Sequence, residues 1–298
     1  MHRTDFAINY NALLFLTNKS DSFCMNLAMH ITDKPIYEEA GLFEKLLGVD
    51  RDRIVKAWDR AARGFETLPP DTEILLPEDP QWPKAVKDAQ ILYLRGNKEL
   101  LKEKGVCIVG TRNPSDRGKA LTRSAVKALE NDFVIISGLA MGIDGIAHIQ
   151  TLSDEKKTIA VIGTPIGEYY PPQHRDLQDA VARYGLLVSR FAPGMQVQKY
   201  FFMMRNLLMS QIGSASLVIE SSDGGGGVSQ AMYTQRQDKP VVIFEETYEN
   251  RTFLWPRKFN NPLIVKSEKT LCRDLKKALN CQGSAQAKPK EEIQPELF

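Results

Sequence analysis

Five short segments concentrate the residue types that can grip an anion or transform a ligand. Val109-Gly110-Thr111-Arg112-Asn113-Pro114-Ser115-Asp116-Arg117-Gly118 places a glycine where an apolar run ends and a serine where a helical run begins. A glycine there lets backbone approach a ligand closely. The unpaired N–H groups of a first helical turn attract negative charge. Arg112 adds a forked donor suited to phosphate. The same residues also fit an ordinary capped turn with a surface arginine.

Ser137-Gly138-Leu139-Ala140-Met141-Gly142-Ile143-Asp144-Gly145-Ile146-Ala147-His148 repeats the arrangement of apolar run, glycine turn and helix. Asp144 and His148 stand four apart on one helical face. A metal would need a further ligand, and none is obvious. The structural reading is favoured: Asp144 caps the helix and His148 bonds backbone or Asp144. Acid–base chemistry is the alternative. In Gly163–Pro172, Tyr169 and Tyr170 are suited to stack on bases, and equally to pack.

From Ser189-Arg190 to Arg205-Asn206, basic residues interleave with aromatics. Over residues 171–206, Arg175, Arg183, Arg190, Lys199 and Arg205 stand against Asp176 and Asp179. Cations on phosphate and rings on bases suit a nucleic-acid strand. Phe201, Phe202, Met203 and Met204 read as core. Arg205 and Asn206 interrupt an apolar helix, so they must face a site or be paired. Finally, Glu220-Ser221-Ser222-Asp223 runs into four glycines, 224–227. Such a loop, Gly225 and Gly226 above all, can wrap a phosphate with backbone N–H groups, or serve as a flexible connection. It lacks the lysine of a nucleotide-hydrolysing loop.

These segments need a scaffold that brings them to one place. Short apolar runs at Val106–Val109, Val134–Ser137, Thr158–Ile162, Leu186–Ser189, Leu217–Glu220, Val241–Phe244 and Leu263–Val265 read as buried parallel strands. Helical patterns at 118–131, 143–152, 173–184, 200–212 and 227–237 lie between them. That alternation predicts a doubly wound, Rossmann-like, mostly parallel sheet, whose carboxyl edge is where such folds bind ligands. A closed barrel would need eight repeats, which this stretch does not hold.

The sequence divides into a helical N-terminal domain over 1–66, the Rossmann-like domain over 67–266, and a short basic helix (Glu268 to Leu279) with a disordered tail over the rest of 267–298. The chain has 298 residues, 43% hydrophobic and 26% charged, and a formal net charge of +2. That excludes a uniformly basic coat but leaves room for a basic groove. The four cysteines are scattered without metal or redox spacing and read as reduced thiols. No signal segment or spanning stretch is evident, so a cytoplasmic protein without membrane contact is expected. Neither cofactor nor metal is expected, and no catalytic residue is assigned.

The run from Leu75 to Glu246 resembles the DprA/Smf family. The resemblance is carried by Trp82-Pro83, Leu94-Arg95-Gly96-Asn97, residues 109–118, Ser137–His148, Tyr170-Pro171, Arg205-Asn206 and Val218–Gly227, in order and at matching spacing. It implies a protein that binds single-stranded DNA, forms a homodimer and loads a RecA-type recombinase, and is not an enzyme. By position it implies DNA contacts at Gly110, Thr111, Arg112, Ser115, Ser137, Gly138, Lys199, Arg205 and Asn206, with Arg112 and Arg205 on phosphates. Asp144, His148, Tyr170, Arg190, Gly225 and Gly226 are secondary candidates.

The sequence departs from the family pattern at Ser189-Arg190, where Ser-Glu is usual, and near Phe201–Arg205, which lacks the usual proline. Residues 267–298 are too few for the winged helix many members carry. Gln294, Leu297 and Phe298 resemble a sliding-clamp-binding peptide at the chain's end. Two rival functions share the fold: a nucleotide sensor, and a nucleotide N-glycosidic hydrolase using Glu220 or Asp144. The chain lacks the glutamate expected shortly after the glycine loop of such hydrolases.

Overall fold

The computed structural model describes residues 3–17, 19–30, 34–88 and 90–282. It opens with helices α1 (Arg3–Leu16), α2 (Asp21–Met29), α3 (Ala40–Leu47) and α4 (Arg51–Glu66). Asp50 caps α4, its carboxylate accepting from the Arg53 N–H at 2.9 Å. Then follow β1 (Glu73–Leu75), β2 (Leu92–Gly96), β3 (Gly105–Val109), α5 (Asp116–Leu129), β4 (Val134–Ser137), α6 (Ile143–Ser153) and β5 (Thr158–Val161). The chain continues through α7 (Arg175–Tyr184), β6 (Leu186–Ser189), α8 (Lys199–Ile212), β7 (Ala215–Val218), α9 (Gly226–Arg236) and β8 (Val241–Phe244). A short α10 (Glu245–Glu249), β9 (Leu263–Val265) and α11 (Glu268–Gln282) complete it.

Among the described residues the strands form one sheet in the order β1-β2-β6-β5-β4-β3-β7-β8-β9. From β6 to β9 the pairing is parallel. β1 and β2 add an antiparallel edge, with Leu94 opposite Val188. The expected doubly wound architecture is therefore present, extended by two strands that the sequence pattern did not mark. β7 begins and ends two residues earlier than expected.

Side chains alternate across the sheet with the two-residue period of a pleat. Cys107, Val109, Ile136, Val161 and Val188 face one layer, which holds Leu208 and Met209 of α8 and Val228 and Ala231 of α9. Val106, Ile108, Ile135 and Leu217 face the other, against α5, α6 and α11. On that second side the N-terminal helices share a core with the sheet: Phe6, Leu13, Phe43 and Ile54 join Tyr93, Ala160 and Leu187 in one cluster. The boundary expected at 66/67 falls in a turn, but the apolar packing runs across it.

The strand order turns back at β3, whose neighbours β4 and β7 lie on opposite sides. Connections leave in opposite directions there, the arrangement in which open sheets of this kind form a ligand-binding crevice at the carboxyl edge. Among the described residues no helix is long and apolar enough to cross a membrane, and Cys24, Cys107 and Cys272 are free thiols.

Candidate nucleic-acid interface

At the carboxyl edge, β3 delivers Gly110–Arg112, β4 delivers Gly138–Met141, and β7 delivers Glu220 with the glycine loop. Arg112 is exposed, and it forms no hydrogen bond or ion pair among the described residues. Lys199, the first residue of α8, is likewise exposed and unpaired. Tyr170 is 43% exposed, with its ring centroid 5.1 Å from that of Phe202. These three present two cations and an aromatic face to solvent, the chemistry a flexible polyanion with bases requires.

Arg205 departs from the expected role. It is buried, and its Nη1 donates to the Gly138 carbonyl and to the Val161 carbonyl at 3.1 Å. Its guanidinium thus ties the ends of β4 and β5 together instead of reaching a phosphate. Asp144 supplies the balancing charge from α6 and accepts from the Gly138 N–H at 3.2 Å. Burial pushes the Asp144 carboxyl up, with Arg205 opposing the shift. Burial likewise pulls the Arg205 guanidinium down, Asp144 opposes it, and the like charge of Arg112 adds to it. Arg112 and Arg205 therefore share one edge, one facing out and one facing in.

Gly138 is required here because a Cβ would run into the Arg205 guanidinium. Leu139, next along, adopts a left-handed φ of 59° although it is not glycine. Such a backbone persists only when its surroundings fix it. His174 does so through a 2.9 Å bond between its Nδ1 and the Leu139 carbonyl. His174 and its role were not foreseen, although it lies just past the Tyr170-Pro171 motif.

Several other expected contacts turn inward. The Ser137 hydroxyl donates to the Ile108 carbonyl at 2.6 Å and is buried. Ser115 caps α5: its Oγ accepts from the Gly118 N–H at 3.0 Å and donates to Glu220 Oε2 at 2.9 Å. The Thr111 N–H donates to the Glu220 carbonyl at 2.6 Å, and the Thr111 hydroxyl accepts from the Asn113 N–H at 3.2 Å. Asn206 donates from Nδ2 to the Gly226 carbonyl at 3.3 Å, positioning the glycine loop. Gly110 sits between Ile143 and Glu220, too tightly for a Cβ. Gly225 is half-buried and Gly226 exposed at the head of α9. Trp255, also unforeseen, braces this loop by donating from Nε1 to the Ser221 carbonyl at 2.9 Å, while Asp223 accepts from the Leu254 and Trp255 N–H groups.

Arg190 is a correction. It is buried in a 2.9 Å ion pair with Asp21 of α2, and Asp21 also accepts from the Tyr10 hydroxyl at 2.6 Å. It fastens the helical segment to the end of β6 and has no phosphate-facing surface. His148 is fully buried, and of the two expected partners it is backbone, at Ser137, and not Asp144 that engages its ring. Its Nδ1 lies 2.7 Å from Thr158 Oγ1, which itself donates to the Ile135 carbonyl, so Nδ1 carries the proton. Burial, aided by the nearby His174, pulls its pKa down from 6.5 to about 3. Asp144 does not cap α6; Gly142, at φ 79°, occupies that place. Among the described residues no group of three or more His, Cys, Asp or Glu is placed to hold a metal ion. Gln294, Leu297 and Phe298 lie outside the described residues.

Residues 73–261 match the model of the family described as DNA recombination-mediator protein A. The chain belongs to this family. It is 38% identical over 138 residues to the DNA processing protein DprA of Streptococcus pneumoniae, 46% of this chain and 49% of that one. Against DprA of Bacillus subtilis it is 31% identical over 182 residues, 60% of each chain. Against Protein Smf of Synechocystis it is 35% identical over 178 residues, 57% of this chain and 45% of that one. The chain spans about half the length of these curated relatives. The same fold appears in the X-ray structure of S. pneumoniae DprA, with a TM-score of 0.69 at 23% identity over 92% of this chain and 94% of that one. It appears again in a Helicobacter pylori DprA structure described as giving insight into a single-stranded DNA binding mode, with a TM-score of 0.59 at 24% identity over 69% and 96% of the chains.

Proposed function

We propose that this DprA-family chain binds single-stranded DNA along the carboxyl edge of its sheet. The observation that carries the reading is that Arg112 and Lys199 are exposed cations without an ion pair among the described residues, and that the Tyr170 ring is also exposed. Arg112 holds one phosphate and Lys199 another, while Tyr170 offers a stacking face to a base. Gly110, Thr111, Gly138, Asn206 and the glycine loop hold these groups in place from behind. Arg205 acts as a positioning residue.

The family description as a recombination mediator supports a role in delivering strands to a RecA-type recombinase. The H. pylori relative's described binding mode supports the choice of single strands. A homodimer in the cytoplasm, and docking of the C-terminal peptide on the sliding clamp, complete the proposal. The hydrolase reading is disfavoured by geometry, because the Glu220 and Asp144 carboxylates both hold backbone N–H groups of the edge.

Titration of labelled oligo-dT against a duplex of equal length, at several salt concentrations, tests the reading. Preferential and salt-sensitive binding of the single strand is expected. Equal affinity for both, or none for oligo-dT, contradicts it.

A further inference from the structure

The turn between β3 and α5 has the form of a phosphate-binding turn, yet two of its backbone N–H groups and the Ser115 hydroxyl are already engaged by one residue. Glu220 follows β7, which pairs with β3 at the point where the strand order reverses. Its main-chain carbonyl accepts from the Thr111 N–H at 2.6 Å. Its carboxylate accepts from the Ser115 N–H at 3.1 Å and from the Ser115 hydroxyl at 2.9 Å. A Cβ on Gly118 would strike the same carboxylate, so the first turn of α5 closes directly on it. A carboxylate at a helix N-terminus is electrostatically favourable, and here it lies against the first turn of α5.

We infer that Glu220 is a specificity-determining residue. Its carboxylate fills the anion position at the head of α5, so that the crevice refuses inorganic phosphate and mononucleotides. An entering phosphate must expel the carboxylate from Ser115 and then stand beside it, anion against anion. A phosphodiester held by the exposed Arg112 displaces nothing, because that guanidinium has no hydrogen-bond or ion-pair partner among the described residues. The edge therefore selects the backbone of a strand laid across it over a nucleotide inserted into it. The selection of a strand rests on the DNA-binding reading; the exclusion of small phosphates does not.

The test is thermal unfolding in inorganic phosphate or AMP against chloride at matched ionic strength, for wild type and Glu220→Ala. Wild type is expected to show no ligand-dependent shift, and the variant a rise of about 2–4 °C. If Glu220→Ala does not fold, Glu220→Ser supplies the same comparison with a hydroxyl beside Ser115. Backbone amide NMR of wild type gives a readout that needs no variant: Ser115 and Gly118 are expected to stay unmoved on phosphate addition. Stabilisation of wild type equal to the variant, movement of those amides, or no gain in the variant overturns the inference. Oligo-dT is titrated in parallel with AMP as competitor. Wild type that ignores the oligomer defeats the DNA-binding reading, while the contrast between wild type and variant still decides the role of Glu220.

Discussion

The Arg205 guanidinium donates to the Gly138 carbonyl from the other side of the β4 end, and Gly138 has no side chain because that guanidinium occupies the space. The two residues form one device. A buried cation gathers the carbonyls of adjacent strand ends, and the glycine lets it approach. The turn that leads to Met141 and Asp144 takes its shape from this contact.

Removing the cation should therefore weaken the fold before it weakens any ligand contact. Arg205→Met leaves Asp144 buried without its counter-charge and two carbonyls without a donor. A loss of about 3–5 kcal/mol is expected from leaving a buried charge uncompensated. Urea unfolding of the variant measures it. Stability equal to wild type would show that Arg205 does not hold the edge.

Arg190 gives a second, separable case. Its 2.9 Å pair with Asp21 is buried and joins α2 to the end of β6. Arg190→Met should destabilise by a similar amount, about 3–5 kcal/mol, yet leave oligo-dT affinity unchanged in the folded protein. A variant of normal stability that loses DNA would restore Arg190 to the interface.

The buried His148 predicts an acid-sensitive fold. Its native pKa of about 3 lies below its usual 6.5, so below 6.5 the unfolded chain binds the extra proton. Stability from this group is full above 6.5 and falls as pH drops towards 3. Glu130 runs the other way: burial, with Asp154 adding to it, raises it from 4.5 to about 7, so its contribution falls as pH rises through that range. His148→Asn should therefore flatten the acid limb relative to wild type. Parallel curves of stability against pH for the two proteins would count against a neutral buried imidazole.

Tyr170 should contribute by stacking and not by charge. Tyr170→Ala is expected to weaken oligo-dT binding by about 1–3 kcal/mol while leaving the salt dependence unchanged. Fluorescence titrations at several salt concentrations separate the two effects. An altered slope with unaltered affinity would contradict the assignment.

The parallel core was legible because its strands are buried on both faces and so read as unbroken apolar runs, as in Val106–Val109 and Val134–Ser137. The antiparallel strands β1 and β2 were not, since Glu73 opens one and Arg95-Gly96 closes the other, so neither reads as an unbroken apolar run. The apolar setting of Arg205 signalled that it must be paired. It could not show that the partners were carbonyls lying 67 and 44 residues upstream. Arg190 and Asp21 stand 169 residues apart, and Ser115 and Glu220 105 apart. Long-range pairs of this kind leave no local pattern, and they account for the contacts that were misassigned. Arg112 and Lys199 could be singled out because a cation beside a glycine turn, or within a run of basic and aromatic residues, is a local feature.

The salt dependence of oligo-dT affinity in Arg112→Ala and Lys199→Ala bears most directly on these two cations as phosphate contacts. Each substitution removes one contact, so each should weaken binding at low salt and reduce the slope of log affinity against log salt by about 0.7. Both variants should unfold as wild type does, since neither side chain is paired among the described residues. Slopes and affinities indistinguishable from wild type in both variants would place the DNA elsewhere on the molecule.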